Sequence, residues 1–125
     1  MDTSASQHLG RVFGMINSKN KGARGERMFA AVLQEHGYED ARRGQQFSGS
    51  PDSPDVLGLP GHHIEVKFTE KLSIYKAIGQ STKDASLLEI PLVAFKSNGR
   101  PWLAILDMED YLIMYRELEA YRDRT

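Results

Sequence analysis

Cysteine is absent from the sequence. Its absence excludes a disulfide framework, a zinc-thiolate site and a thiol nucleophile. There is also no apolar run near the ~18 residues that a membrane-spanning helix needs. The N-terminus lacks the cationic, apolar and small-residue order of a secretion signal. We therefore expect neither membrane insertion nor secretion, and the cytoplasm is the default location.

An excess of positive charge is missing as well, because the net charge is -1. This balance argues against a protein that coats nucleic acid through bulk electrostatics. The charges are unevenly distributed, however. Residues 18–27 hold four basic side chains, Lys19, Lys21, Arg24 and Arg27, against the single acid Glu26, whereas residues 107–123 are rich in acids. One part of the chain could meet phosphates, and the other would repel them.

The length of 125 residues is enough for one domain but too short for two of ordinary size. The apolar fraction of 40% and the charged fraction of 26% are typical of a globular protein. We expect a flexible N-terminal arm over residues 1–20 and a single domain over residues 21–125. Helical spacing of apolar residues begins near Ala23, and Gly37 is placed to end that helix.

The rest of the chain alternates between strand and helix patterns. The predicted elements are, in order, a strand over 41–47, a short strand from Asp55, a strand over His63–Phe68, a helix over Leu72–Leu88, strands over Pro91–Lys96 and Pro101–Leu106 joined by a type I′ turn at Asn98-Gly99, and a last helix capped by Asp107. The order α-β-β-β-α-β-β-α predicts the α/β class, with a mixed central β-sheet flanked by helices.

Pro54-Asp55 and Ile64-Glu65-Val66-Lys67 carry the chemistry. Alternation along the second segment places Glu65 and Lys67 on the same face of one strand. Mg²⁺, which assists phosphodiester hydrolysis, prefers oxygen ligands from one or two carboxylates. We therefore predict a Mg²⁺ or Mn²⁺ site formed by Asp55, Glu65 and the backbone carbonyl of Val66. Lys67 would orient the attacking water or neutralise developing charge.

Two helical residues are further candidates. Glu26 borders the buried stripe of the first helix and could bind the metal directly or through water. Gln80 could donate a hydrogen bond to a metal-bound water or to phosphate. Each also has a simpler interpretation, because an acid and a lysine on one strand commonly form a solvated ion pair and single polar helix residues are commonly exposed. We interpret His62 and His63 as loop and strand-start residues.

Several segments together resemble a known family. They are Arg24-Gly25-Glu26-Arg27, Gly37-Tyr38, Arg42-Arg43, Phe47-Ser48-Gly49-Ser50, Pro54-Asp55-Val56 and Ile64-Glu65-Val66-Lys67. In order and rough spacing they resemble the archaeal-type Holliday junction resolvases, which belong to the PD-(D/E)XK, or restriction-endonuclease-like, nucleases. The resemblance covers about residues 20 to 106.

The resemblance implies a magnesium-dependent endonuclease with the restriction-endonuclease-like fold. Such enzymes are usually homodimers that cut branched DNA, such as a four-way junction, symmetrically. By residue-for-residue matching, Glu26, Asp55 and Glu65 would be the acidic metal-site residues and Lys67 the catalytic lysine. The residues assigned to DNA binding are Lys19, Lys21, Arg24, Arg27, Arg42, Arg43, Ser48, Ser50, Lys71 and Gln80, with either Ser48 or Ser50 positioning the scissile phosphate.

Other interpretations stay open at this point. Two Ser-Pro-Asp triplets follow one another, so either Asp52 or Asp55 could be the metal ligand. Val56 and Leu57 favour Asp55, because they make it the start of a strand. The substrate could be other DNA, as in repair, restriction or phage-encoded nucleases. The chain could also be a non-catalytic DNA-binding subunit that has kept the fold.

Overall fold

A five-stranded mixed sheet, whose strands lie side by side in chain order, forms the centre of the described part of the protein. The computed structural model describes residues 4–44 and 54–124, with side chains from residue 20 onward. The elements are α1 (Ser4–Glu35), β1 (Arg42–Arg43), β2 (Val56–Leu57), β3 (His62–Phe68), α2 (Ile74–Asp84), β4 (Ile90–Lys96), β5 (Leu103–Ile105) and α3 (Met108–Asp123). This order of elements and the mixed sheet confirm the predicted fold class.

Helix α1 differs from its prediction at one end and agrees at the other. It begins at Ser4, so the predicted start near Ala23 is wrong and residues 4–20 are helical. Flexibility of this segment stays a prediction. The C-terminal end closes as expected, because Gly37 has a φ of 97°. The amide of Tyr38 donates to the carbonyl of Leu33 at 3.0 Å, which is the long hydrogen bond of a Schellman motif.

Strand β3 lies in the middle of the sheet, antiparallel to β2 and parallel to β4. The parallel pair needs a crossover connection, and α2 supplies it. Helix α2 is shorter than the predicted Leu72–Leu88 segment. Ile64 and Val66 belong to the apolar core with residues of α1. On the opposite face, the hydroxyl of Ser81 in α2 donates to the carbonyl of His63 at 3.0 Å.

Burial on both faces has a direct chemical consequence. A strand covered by helices on both sides ordinarily consists of apolar residues. In β3 the alternating pattern persists instead, and the exposed fractions of His63 and Glu65 are only 1% and 4%. Ionisable side chains are costly in such positions unless they are paired or hold a cation. The face toward α2 is therefore a functional candidate.

Helix α1 approaches β3 closely at Gly25. A Cβ atom added at Gly25 would lie 2.7 Å from the Cβ of Phe68, closer than side chains tolerate. Only glycine permits this packing, and it brings the next residue, Glu26, against the sheet with 8% of its surface exposed. The glycine in the Arg24-Gly25-Glu26-Arg27 segment thus positions the acid that follows it.

The C-terminal part is less buried. Asp107 caps α3 as predicted, because its carboxylate accepts a hydrogen bond from the amide of Glu109 at 2.9 Å. None of the α3 residues is buried. The type I′ turn predicted at Asn98-Gly99 is wrong, because that turn needs a positive φ at both residues and no described non-glycine residue has one. No helix within residues 4–44 and 54–124 is long and apolar enough to cross a membrane.

Candidate active site

Asp55 is held at the edge of β3 by its backbone and its side chain. Its amide donates to the carbonyl of Ile64 at 2.8 Å, and its Oδ2 accepts from the amide of Val66 at 2.8 Å. The N–H and C=O of one strand residue point to the same side of the strand. The carbonyl of Val66 therefore faces the same edge as the Asp55 carboxylate, and a hydrogen bond joins the carboxyl groups of Asp55 and Glu65.

Glu65 carries the strongest electrostatic perturbation in this cluster. Its pKa is raised to about 8, chiefly by burial and further by the charge of Asp55 and a hydrogen bond between the two carboxyl groups. Asp84 also raises the pKa, whereas Lys67 lowers it. Without a cation, Glu65 therefore binds a proton near neutral pH. A buried carboxyl group that holds a proton beside a second carboxyl group is a site at which a divalent cation can replace that proton.

Glu26 reaches the same cluster from α1. Burial raises its pKa, and the charge of Asp55 contributes in the same direction. The Nε of Arg43 donates to Oε2 of Glu26 at 2.8 Å and opposes this shift. Arg43, assigned to DNA binding from the sequence, thus makes a charge-assisted hydrogen bond inside the site. A fixed guanidinium orients the carboxylate that the resemblance identified.

Lys67 lies between the carboxyl cluster and an open cleft. Its charge acts on Glu65, and its side chain lines a cleft of about 300 Å³ between the end of β3 and α2. The lining residues are Lys67, Thr69, Lys71, Leu72, Ser73, Lys76, Ala77 and Gln80. Two of the predicted DNA-binding residues, Lys71 and Gln80, share this cleft with the catalytic candidate. Sequence reasoning left Lys76 without a role, because its position alone shows only a solvated helix face.

A second group of cations surrounds Phe68. Lys21 Nζ, Lys96 Nζ and the Arg24 guanidinium lie 4.8, 5.7 and 5.8 Å from the ring centroid, respectively. Phe68 ends β3 on the face toward α1, whereas the cleft lies toward α2. Positive charge therefore collects at the carboxyl end of β3 on both faces of the sheet, next to the carboxyl cluster.

The remaining candidates are less informative. Arg27 and Arg42 are exposed, and Arg42 donates to the carbonyl of Asp40 at 2.9 Å. The side chain of Lys19 and the whole of Ser48, Ser50 and Asp52 lie outside the described residues. Their predicted roles stay predictions. The choice of Asp55 over Asp52 as the metal ligand also stays a prediction, because the position of Asp52 is not described.

Sequence reasoning missed two residues that can ligate a metal. Donor atoms of His63, Glu65 and Asp84 all lie within 4.8 Å of one another. His63 shares its strand face with Glu65 and Lys67, so period-two alternation was a signal for it. Asp84 gave no signal, because only the crossover geometry of α2 brings the end of that helix to the start of β3.

The similarity to known proteins agrees with this geometry. No curated protein and no solved structure matches the chain. The family model described as "Archaeal holliday junction resolvase (hjc)" matches residues 17–123, which include all the described site residues. The match covers most of the chain, well beyond the segments that carry the resemblance. The chain therefore belongs to the archaeal Holliday junction resolvase family, whose activity is that of a nuclease.

Proposed function

We propose that this protein is a Mg²⁺- or Mn²⁺-dependent endonuclease that hydrolyses phosphodiester bonds in branched DNA, with the four-way junction as its first substrate. The observation that carries the proposal is the carboxyl cluster of buried Glu26, buried Glu65 and half-buried Asp55 beside Lys67, at the mouth of a cleft lined by lysines. A module that only binds DNA gains nothing from buried carboxylates placed next to phosphates.

The donor set fits a hard divalent cation. Asp55, Glu65 and the carbonyl of Val66 offer only oxygen atoms, which Mg²⁺ prefers. The pKa of Glu65 is raised chiefly by burial and further by the charge of Asp55, and a bound cation would offset both effects. A bound cation would supply charge stabilisation at the phosphoryl group and lower the pKa of a coordinated water. Glu26, oriented by Arg43, would accept a hydrogen bond from such a water or bind the cation itself.

The lysine cleft supports a path for the sugar-phosphate backbone. Lys67 would contact the reacting phosphate, and Lys71, Lys76 and Gln80 would hold neighbouring phosphates along α2. Lys21 and Arg24 would extend the positive surface on the other face of the sheet. Contacts of this kind are independent of sequence and dependent on salt, which suits an enzyme that recognises DNA by its shape.

We also propose a homodimer, which would cut two strands of a junction symmetrically. Its support is α3, in which no residue is buried and one face carries exposed apolar side chains at helical spacing, namely Met108, Tyr111, Leu112, Tyr115 and Leu118. An apolar helix face of this size is typical of an interaction surface. A DNA-cutting role also agrees with the cytoplasmic location expected from the sequence, which stays a prediction.

The experiment is a cleavage assay of the full chain with Mg²⁺ or Mn²⁺ on a four-way junction, a flap, a linear duplex and a single strand. Cutting of the junction is expected to exceed cutting of the duplex by at least about tenfold. Preferred cutting of another substrate would favour a repair, restriction or phage-type nuclease. No cutting of any substrate would refute the enzyme and favour the non-catalytic DNA-binding subunit.

Lys67→Ala separates catalysis from binding. The variant should lose cutting while retaining most of its affinity for the junction, because one phosphate contact among many is lost. Arg116→Ala, which removes the same charge from an exposed position on α3, is the matched control and should cut normally. Equal loss of binding and cutting in Lys67→Ala would point to a structural role for Lys67.

A further inference from the structure

His63 presents an unsatisfied polar atom in the interior. Its side chain is 1% exposed, and its Nε2 has no hydrogen-bond partner within the described parts of the chain. The nearest acidic oxygen, Oε1 of Glu65, is 3.5 Å away. Buried ring nitrogens are ordinarily hydrogen-bonded or bound to a metal. The orphan nitrogen therefore points to a ligand.

Two carboxylates complete a set of donors around this nitrogen. Glu65 extends from the same strand face, and Asp84 is the last residue of α2; their donor atoms and that of His63 lie within 4.8 Å of one another. Atoms bound to a common ion at about 2.1 Å cannot be more than ~4.2 Å apart. Side-chain movements of less than about an ångström would therefore close the set around a cation.

The opposite side of the imidazole also fits metal binding. Its Nδ1 lies 3.9 Å from Oε1 of Glu89, and that same oxygen accepts a hydrogen bond from the amide of Ser86 at 2.9 Å. A histidine that binds a metal through one nitrogen commonly directs the other toward a carboxylate, which fixes the ring. His63 thus lies between a candidate metal position at Nε2 and an orienting carboxylate at Nδ1.

Helix polarity adds an independent argument. The C-terminal end of a helix carries partial negative charge, so an acid at that end is unfavourable and a cation is favourable. Asp84 occupies that end of α2, close to the buried Glu65. Ser81, which is fully buried and bonded to the carbonyl of His63, fixes the end of the helix over the strand. A cation would neutralise this concentration of negative charge and tie α2 to β3.

We propose that His63, Glu65 and Asp84 form a second cation site, adjacent to the proposed catalytic one and selective for a first-row transition metal such as Mn²⁺ or Zn²⁺. One imidazole nitrogen and two carboxylates suit these ions, whereas Mg²⁺ and Ca²⁺ prefer oxygen alone. Glu65 belongs to both sites, and a carboxylate can bridge two cations. The first site would accept Mg²⁺ or Mn²⁺, and the second would exclude Mg²⁺.

The test is pulsed electron paramagnetic resonance of Mn²⁺ bound to the full-length protein, which detects coupling to a ligating imidazole nitrogen. Nitrogen coupling is expected in the wild type and should persist with excess Mg²⁺. It should disappear in His63→Gln. Because His63 is buried and its substitution could unfold the chain, Asp84→Asn at a partly exposed position is the second variant. This variant should weaken Mn²⁺ affinity at the nitrogen-coupled site by at least about tenfold.

Two controls make the assignment specific. His62→Gln changes the neighbouring histidine, whose Nδ1 lies 2.9 Å from the carbonyl of Pro60, and should leave the coupling intact. Asp55→Asn should weaken the proposed catalytic site and retain the nitrogen signal. The signal does not depend on DNA cutting, so a catalytically inactive protein could still show it. The proposed site is overturned if the wild type shows no nitrogen coupling, if the coupling survives in His63→Gln, or if Asp84→Asn binds Mn²⁺ with unchanged affinity. Any of these results would mean that His63 only contacts Glu65 directly.

Discussion

The burial of Glu65 predicts that the metal-free protein is less stable at high pH than its isosteric variant Glu65→Gln. The pKa of Glu65 in the folded protein is about 8, against about 4.3 in an unfolded chain. A raised pKa means that the folded state binds the proton more tightly. The stabilising effect of that proton is fully present below the unfolded value and is lost as the pH rises through about 8.

The magnitude follows from the size of the shift. One pKa unit corresponds to about 1.36 kcal/mol, so the difference of about 3.7 between the folded and unfolded pKa values sets a limit near 5 kcal/mol for full ionisation. The charge of Asp55 and its hydrogen bond supply part of this shift, so the measured effect of Glu65 alone is expected to be smaller than the limit. We therefore expect the free energy of unfolding of Glu65→Gln, relative to the wild type, to rise by about 2 kcal/mol between about pH 5 and pH 8.5.

The assay is urea denaturation of both proteins in chelator across this pH range, followed by circular dichroism. The informative quantity is how the difference in unfolding free energy between Glu65→Gln and the wild type changes with pH. The contacts of the introduced amide contribute equally at every pH and therefore do not affect that change. Glu35→Gln, at an exposed position, reports the effect of losing one negative charge without a buried carboxyl. A difference that stays constant with pH would refute the reasoning that burial holds Glu65 neutral. Added Mg²⁺ should restore stability to the wild type alone, since binding replaces the proton.

Three further predictions test the fold, the metal and the assembly. Gly25→Ala should lower the free energy of unfolding, measured in urea, by about 1–3 kcal/mol, because its Cβ would lie 2.7 Å from that of Phe68. The control Gly22→Ala, which has open space around it, should instead raise it by about 0.5–1 kcal/mol. Equal effects of the two substitutions would contradict the close packing at Gly25. Asp55→Asn should reduce calorimetric Mn²⁺ affinity at the proposed catalytic site at least about tenfold, and unchanged total binding would remove Asp55 from the ligands. Leu112→Glu in α3 should convert a dimer to a monomer in sedimentation at micromolar concentration. The control Leu87→Glu, at a fully exposed loop position, should remain a dimer. A wild-type protein that sediments as a monomer would refute the proposed dimer.

The proposed site illustrates a conflict between stability and function. Two of its carboxyl groups, Glu26 and Glu65, are buried, and a buried carboxylate costs stability unless it is paired. The protein compensates in part through Arg43 at Glu26 and the amide of Val66 at Asp55. The cost that remains raises the pKa of Glu65, chiefly through burial, and in the proposed function a bound cation would relieve it. Conversion of these acids to amides is therefore expected to trade activity for stability.

Local pattern predicted much of the fold. Alternation over His63–Phe68, the glycine after α1 and the acid before α3 each specify backbone geometry within a few residues, and each was confirmed. The N-terminal limit of α1 was mispredicted, because the polar residues and glycine at 17–22 interrupt the apolar spacing between Ile16 and Ala23. The turn at Asn98-Gly99 was mispredicted as well, because turn type depends on the strands that it joins.

The sequence by itself determined that Glu65 and Lys67 share one face, since period two is a property of any extended strand. It also indicated that an acid after Pro54 and an acid near Arg24 belong to the same chemistry, through their resemblance to a nuclease family. Only the tertiary structure decided that this face lies buried under α2, that Arg43 pairs with Glu26, and that Asp84 reaches His63. These contacts join residues far apart in the chain, and their geometry depends on how the crossover helix packs on the sheet. Local spacing cannot specify that packing.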